Sequence, residues 1–448
     1  MQRPEPSSTG TRPAGPGPKV LALLDDIERL AGHPQRLNDW QKDRWASLHA
    51  HHATHSAWYR DRLQQSCIAP DSPVSWDQAQ RIKLVTRADL QREVDRAFVT
   101  PPQSHGAVYV TQTSGSTGEP VRVARTERCQ QFWMAYGLRE HQWWNRDFSR
   151  SLFVIRANLD TRFIAQKTWG SPASLLATTG AGYAASMSLS TAELALLIEE
   201  LRPGYLLVYP NVLVALLQQY QAWNKTPRGL LQVRTMGETL GPGLRNQVRD
   251  DWGVETADTY SSQEAGVIAI ECPSGSYHVM AENLIVEVLK PDGTPCAPGE
   301  TGEVVITDLH NYATPLIRYA IGDVAEVGGP CACGRHLPTL TKIHGRVRNL
   351  ITYPDGSKRW PRVGFDRFRD VAPITQYQVV QHAVDDVEVR LVCSPLSVQQ
   401  ETALNQIICT ALESPFPLRF TYWPGGIPRR SNGKYEEVIS LLKAVPLS

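Results

Sequence analysis

The alternation of helix and strand patterns between Ser190 and Trp252 constrains this chain more than any other feature. Ser190 and Glu193 have the spacing of a capping box, and Leu194, Leu197, Ile198 and Leu201 share one face, so a helix spans Ser190 to Leu201. Pro203-Gly204 ends it, and Tyr205 to Tyr209 is a continuous apolar run short enough for a buried strand. A helix over Val212 to Trp223, a strand around Val233 to Met236 and a helix near Leu244 to Trp252 follow. This order requires βαβ units, hence a largely parallel sheet covered by helices.

The flanking regions differ in style. Val20 to about Trp58 is helical in pattern, with a stripe of Leu21, Leu23, Leu24 and Ile27, and Thr86 opens a further helix. Val108 to Val110 and Val121 to Val123 are short β-runs. After Gly266 the pattern turns to β, with strands at Leu284 to Leu289 and Glu303 to Asp308. Beyond Gly345, Gln376 to His382 and Val387 to Cys393 read as paired strands, Val398 to Leu412 as a helix and Leu418 to Trp423 as a strand. The expected fold is α/β: a large N-terminal domain with helix-covered, mainly parallel sheets plus a β-rich subdomain, and a small α+β C-terminal domain. The expected limits are a disordered Pro/Gly/Ser-rich tail over 1–19, the large domain over 20–347 and the small one over 348–448.

Composition excludes several classes. A net charge of +1 over 448 residues gives no footprint for nucleic acid or an anionic membrane. No apolar run is long enough to span a bilayer, and the N-terminal stretch lacks a signal-type apolar core, so the expectation is a cytoplasmic protein. Of 8 cysteines, Cys67, Cys129, Cys296, Cys393 and Cys409 stand alone and read as reduced, small apolar residues. Cys272, Cys331 and Cys333 need a separate account.

Thr113-Ser114-Gly115-Ser116-Thr117-Gly118-Glu119-Pro120 lies between the two short β-runs. Glycines let backbone amides turn inward there, and the hydroxyls add donors for phosphate oxygens. No Gly-Lys-Ser/Thr closes the loop, so it is not the loop of a P-loop NTPase.

This octapeptide resembles the phosphate loop of the acyl-adenylate-forming (AMP-binding) superfamily, and the chain is most similar to its phenylacetate-CoA ligase branch. Further motifs stand in family order. Gly237-Glu238-Thr239 follows a strand where the family contacts adenine. Asp258-Thr259-Tyr260-Ser261-Ser262-Gln263-Glu264 resembles the second nucleotide motif, whose tyrosine stacks on adenine and whose glutamate, here Glu264, holds Mg²⁺. Pro315 to Asp323 resembles the ribose motif, with Asp323 accepting from both ribose hydroxyls. Gly345-Arg346 matches the arginine before the interdomain hinge, and Pro428 to Lys434 the loop with the catalytic lysine, here Lys434. The resemblance implies ATP-dependent activation of a carboxylic acid as an acyl-AMP, with loop amides and Mg²⁺ steadying the departing pyrophosphate. Lys434 would bridge carboxylate and phosphate, carried in by closure of the small domain as a lid.

After the hinge arginine the chain reads Val347-Arg348-Asn349-Leu350, then Ile351 to Pro361, where CoA ligases of the family carry a different loop that shapes the thiol tunnel. The acceptor is therefore open between CoA, a carrier-protein thiol and an amine, the last as in amide synthetases of secondary metabolism. Cys272-x5-His278 and Cys331-x-Cys333-Gly334 can together supply the four ligands of a structural Zn²⁺ site, against the alternative of two unrelated thiol-bearing turns and a surface histidine. Trp133 and Tyr136, after the phosphate loop, and Tyr209, by the central strands, are the candidate lining of a pocket for an aromatic acid, with core packing the competing use of the same rings. A zinc-stabilised binding module with relic nucleotide motifs is a further alternative. Retention of Glu264, Asp323 and Lys434 disfavours it.

Overall fold

The computed structural model describes residues 16–113, 120–157, 159–346, 351–359, 368, 370–412, 415–428 and 437–442. Five residues expected in the phosphate loop (Ser114, Gly115, Ser116, Thr117 and Gly118), the expected hinge boundary Val347 to Asn349, and Lys434 lie outside these residues. The first helix runs from Pro16 to Ala31, so Pro16 to Lys19 are helical rather than part of a tail. Proline is well tolerated in a first helical turn, because its missing N–H is one that would have no intrahelical partner.

The core element is a sheet of twelve strands. In chain order its strands, following the β1 (Val108–Gln112) and β2 (Arg122–Thr126) hairpin, are β3 (Leu152–Arg156), β4 (Phe163–Gln166), β5 (Gly182–Ser186), β6 (Tyr205–Val208), β7 (Gln232–Met236) and β8 (Glu255–Ser262). They continue with β9 (Gly266–Glu271), β10 (Tyr277–Val279), β11 (Leu284–Leu289), β12 (Thr301–Asp308), β13 (Tyr319–Val327) and β14 (Thr339–Arg346). Strands β5, β3, β6, β7 and β8 are mutually parallel, because a helix intervenes in each crossover from β5 to β8. After Ser262 the connections carry no helix, and β8-β9-β10-β14-β13-β12-β11 pair antiparallel. The expected parallel layer and β-rich subdomain are thus two halves of one continuous mixed sheet.

Burial follows the same division. Helices Thr191–Leu201 and Pro210–Ala222 pack Leu194, Ile198, Leu213, Leu216 and Leu217 against Phe153, Leu206 and Val233 of the parallel half. The first helix and helix Glu127–Trp143 pack Leu23, Ile27, Phe132 and Leu138 with strands of the antiparallel half. Both predicted caps form: Ser190 Oγ accepts from Glu193 N at 3.2 Å, and Thr86 Oγ1 from Asp89 N at 3.2 Å.

Near the C-terminus β17 (Gln376–Ala383), β18 (Asp386–Val392), β19 (Leu418–Tyr422) and β20 (Val438–Ser440) make a four-stranded sheet in the order β19-β18-β17-β20. Helix Val398–Leu412 covers it through Leu404, Ile408 and Leu412. Residues 351–359 form a small hairpin, β15 (Ile351–Thr352) with β16 (Lys358–Arg359), and Ile351 and Tyr353 pack into the same core. Gln218 Nε2 donates to the Thr375 carbonyl at 2.7 Å, tying helix Pro210–Ala222 to the start of this unit.

Candidate functional site

The β1–β2 hairpin holds the ends of the glycine-rich loop together. Its register runs from Val108 opposite Thr126 to Gln112 opposite Arg122. One step further, Thr113 N donates to the Val121 carbonyl at 2.9 Å, and Thr113 Oγ1 accepts from Val121 N at 2.9 Å. Thr113 therefore closes the mouth of the loop with both its backbone and its side chain.

Arg87 meets that hydroxyl from outside the hairpin. Its Nη2 donates to Thr113 Oγ1 at 2.9 Å, and its Nη1 lies 3.8 Å from Glu264 Oε1. The capped helix Arg87–Arg92 aims the guanidinium, and Val85 is stitched to β13 through Arg318 and Ala320 at 2.8 Å each. Glu264 sits in the turn between β8 and β9, is 2% exposed, and accepts from Tyr319 Oη at 3.3 Å. Residues 87, 113, 264 and 319 thus form one polar chain. No motif spacing pointed to Arg87, and Tyr319 was legible only as a neighbour of Asp323.

Strand β8 leads from this turn to the nucleotide-type residues. Tyr260 Oη donates to Asp323 Oδ2 at 2.7 Å, joining β8 to β13 across 63 positions of sequence, with both residues buried. Ser261 is half-buried beside them. Arg346 on β14 stands opposite Asp323 in the β13–β14 register. Asp258 is placed differently: its carboxylate accepts from Thr235 Oγ1 at 2.6 Å and Tyr277 Oη at 2.7 Å, and burial raises its pKa. Both its oxygens are committed to locking β7, β8 and β10 together.

Gly237-Glu238-Thr239 follows β7, as expected. Gly237 has φ +79°, and a Cβ there would approach Tyr209 Cε1 to 3.1 Å, so glycine is needed for both backbone and packing. Glu238 accepts from Asn211 N at 3.1 Å and Asn211 Nδ2 at 3.0 Å, placing its charge at the N-terminus of helix Pro210–Ala222. Thr239 is exposed. Of the candidate pocket rings, Tyr209 lies on Gly237 and Trp133 lies 3.6 Å from the Cβ position of Gly266, next to the Glu264 turn. Tyr136 is in the core, with its hydroxyl 3.4 Å from Glu282 Oε2 and Arg139 over its ring.

The cysteines and histidine converge at the far end of β9. Cys272 follows that strand, His278 lies on β10, and the β13–β14 connection folds Cys331 and Cys333 onto them. Their four ligand atoms all lie within 4.8 Å of one another. Cys272 Sγ is 3.6 Å from Cys331 Sγ, and Cys333 Sγ is 3.2 Å from His278 Nε2. Zinc–sulfur bonds of about 2.3 Å in a tetrahedron set sulfurs roughly 3.8 Å apart, so the group has the size a Zn²⁺ ion needs. Burial raises the Cys272 thiol; at Cys331 burial acts the same way, but hydrogen bonds with Ser276, Cys333 and Cys272 outweigh it and lower that thiol. His278 is fully buried, with Trp143 edge-on at 5.5 Å and Arg335 covering Trp143 at 4.3 Å, so it is not a surface histidine.

The family model for "AMP-binding enzyme" matches residues 43–311, which include the hairpin, the Glu264 turn and β9. A phenylacetate-coenzyme A ligase from Thermus thermophilus is 24% identical, over 91% of this chain and 97% of its own. Among solved structures, a 2-hydroxyisobutyryl-CoA ligase in its postadenylation state superposes with a TM-score of 0.71 at 17% identity, covering 92% of this chain and 91% of the other. An amide bond synthetase from Marinactinospora thermotolerans shares the fold with a TM-score of 0.51 at 17% identity, over 73% of this chain and 67% of its own. No described helix is long and apolar enough to cross a membrane. A matched family model over more than half the chain, on a fold shared with adenylate-forming ligases, places the chain in the AMP-binding enzyme family, as an adenylate-forming ligase of the phenylacetate-CoA ligase-like branch.

Proposed function

We propose that this ligase joins an aromatic carboxylic acid to AMP and then passes the acyl group to a thiol such as CoA. In the first step the carboxylate attacks the α-phosphorus of ATP and pyrophosphate leaves. In the second, the acceptor thiolate attacks the acyl carbonyl and AMP leaves. The observation that carries the reading is the contact chain from Thr113 through Arg87 to Glu264 and Tyr319. It sets a phosphate-type loop, a fixed cation and a buried carboxylate around one point.

In this reading the amides of the loop over Thr113 to Gly118 receive the phosphates, and Arg87 adds positive charge beside them. Glu264 would hold Mg²⁺, which when bound offsets the triphosphate charge that repels the incoming carboxylate. The weak Glu264–Arg87 contact suits a carboxylate that exchanges one cationic partner for another. Tyr260 and Asp323, already joined, serve adenine and ribose, with Gly237 to Thr239 and Ser261 along the same edge and Arg346 beside Asp323. Lys434 bridges the two reacting groups on lid closure, excluding water that would hydrolyse the anhydride. Trp133 and Tyr209 supply aromatic surface for the acid, in keeping with relatives named for phenylacetate. Cys272, His278, Cys331 and Cys333 would hold a structural zinc, since four protein ligands leave no open position for chemistry.

A second reading, transfer to an amine, is favoured by the departure from the family's thiol-tunnel loop after Arg346 and by the fold shared with an amide bond synthetase. The test is acid-dependent release of pyrophosphate from ATP across aryl and aliphatic acids, with CoA or amines added in turn. Release with aryl acids that rises with CoA supports the first reading. A rise with amines alone replaces the acceptor, and no release with any acid overturns the adenylation itself.

A further inference from the structure

The hairpin that carries the phosphate-type loop and the turn that carries Glu264 are joined by one buried cation. Arg125, on β2, is 7% exposed, and its Nη2 donates to the carbonyl of Ala265 at 3.2 Å. Ala265 is the residue next to Glu264, in a three-residue turn closed by the pairing of Ser262 with Gly266. Gly266 has φ +82°, in the left-handed region that favours glycine. A Cβ on it would lie 3.0 Å from Arg125 Nη2, 3.4 Å from Nη1 and 3.6 Å from Trp133 Cε3. The guanidinium therefore lies against the bare α-carbon of Gly266, with Trp133 alongside.

The charge on this residue is not what a purely structural tie requires. Arg125 has no carboxylate within ion-pair distance among the described residues, and its Nε has no partner. Arg125 acts electrostatically on Asp308, fully buried on β12, whose carboxyl burial pushes up to about 6 while Arg125 works to lower it. A buried guanidinium without a close carboxylate is costly, and an apolar residue would fill the space at less expense to stability. What the guanidinium provides is a rigid, charge-assisted hold on a backbone carbonyl. Because it grows from β2, that hold fixes the distance between the loop mouth at Thr113 and the carboxylate of Glu264. Thr111 Oγ1 on β1, 3.4 Å from the Gln263 carbonyl, adds a weaker tie on the other side of the turn.

We propose that Arg125 is a positioning residue for Glu264, setting where its carboxylate meets the metal-bound nucleotide without touching either. This rests on the reading of Glu264 as the Mg²⁺ ligand. The experiment is a Mg²⁺ titration of acid-dependent ATP–pyrophosphate exchange for Arg125→Met, Arg125→Lys and Glu264→Gln, with the acid KM and thermal unfolding measured on each. Arg125→Met is expected to raise the half-saturating Mg²⁺ about 10- to 100-fold, the usual consequence of losing a group that orients a metal ligand. Its acid KM should stay near wild type, and Arg125→Lys, which can still reach Ala265, should recover part of the shift. If Arg125→Met fails to fold, Arg125→Lys carries the test by an intermediate shift. A folded Arg125→Met with wild-type Mg²⁺ dependence overturns the proposal, as does a change confined to the acid KM. Wild-type Mg²⁺ dependence in Glu264→Gln overturns the metal-ligand reading and the proposal with it. A shift in Glu264→Gln alone overturns only the role of Arg125.

Discussion

The two ends of strand β9 differ in how tightly their side chains are held. At the turn end, Glu264 is held by contacts of 3.3 and 3.8 Å, loose enough to be exchanged. At the far end, Cys272, His278, Cys331 and Cys333 converge within 4.8 Å, with His278 sealed by Trp143 and Arg335. Six residues of strand separate a loosely held carboxylate from a tightly gathered group of thiol and imidazole side chains. The difference shows how one strand can join two unlike environments: converging buried side chains at its inner end and a carboxylate with long contacts at its outer end.

The largest test of that division is Glu264→Gln. It should lower adenylation by roughly 10²–10³-fold, or about 3–4 kcal/mol of transition-state stabilisation, while leaving zinc content and unfolding temperature unchanged. Metal loss accompanying this substitution would show that the two ends are one unit.

Next in size is the far end itself. The purified protein should carry about one zinc per chain, and its removal by a chelator should lower stability by about 3 kcal/mol, read as a fall in unfolding temperature. Undegraded protein without zinc would end the assignment, and adenylation lost before any unfolding would merge the two functions.

A smaller effect concerns Asp308, behind the turn end. Its folded pKa of about 6 lies above its ordinary 3.8, so between those values the folded chain keeps a proton that the unfolded chain has released. Stability attributable to this group therefore falls as pH rises from about 4 to 6, by an amount on the order of 2 kcal/mol. Asp308→Asn should flatten the dependence, and unfolding temperatures measured across that window would reveal an unchanged slope if the assignment is mistaken. The smallest effect is expected of Gly237→Ala, at about 1 kcal/mol from its positive φ plus a several-fold weaker affinity for ATP as Tyr209 is displaced. Unchanged calorimetric ATP binding in that variant would detach Gly237 from the nucleotide site.

Local signals made much of this legible in the sequence. The caps at Ser190 and Thr86 and the helix–strand alternation over Ser190 to Trp252 depend on neighbours a few residues apart, and all appear in the fold. Cys272, His278, Cys331 and Cys333 were readable as candidates for one group against the alternative of two unrelated turns, and their side chains converge. Residues with ordinary types and no spacing rule were hidden. Arg87 and Arg125 look like any charged surface residue in sequence, yet one is half-buried between Thr113 and Glu264 and the other is buried against Gly266. Asp258 and Tyr136 show the converse: motif or aromatic character suggested a binding surface, and hydrogen bonds to Thr235, Tyr277 and Glu282 draw them into the interior.

The sequence by itself determined most element types, the α/β class and the chemical inventory, since these follow from periodicity and side-chain type. Tertiary structure decided which of those groups meet. Tyr260 reaches Asp323 across 63 residues, and Cys272 reaches Cys331 across 59, only because β8 to β14 share one sheet. Pairing over such separations is set by long-range strand order, which leaves no periodic mark in the sequence around either partner.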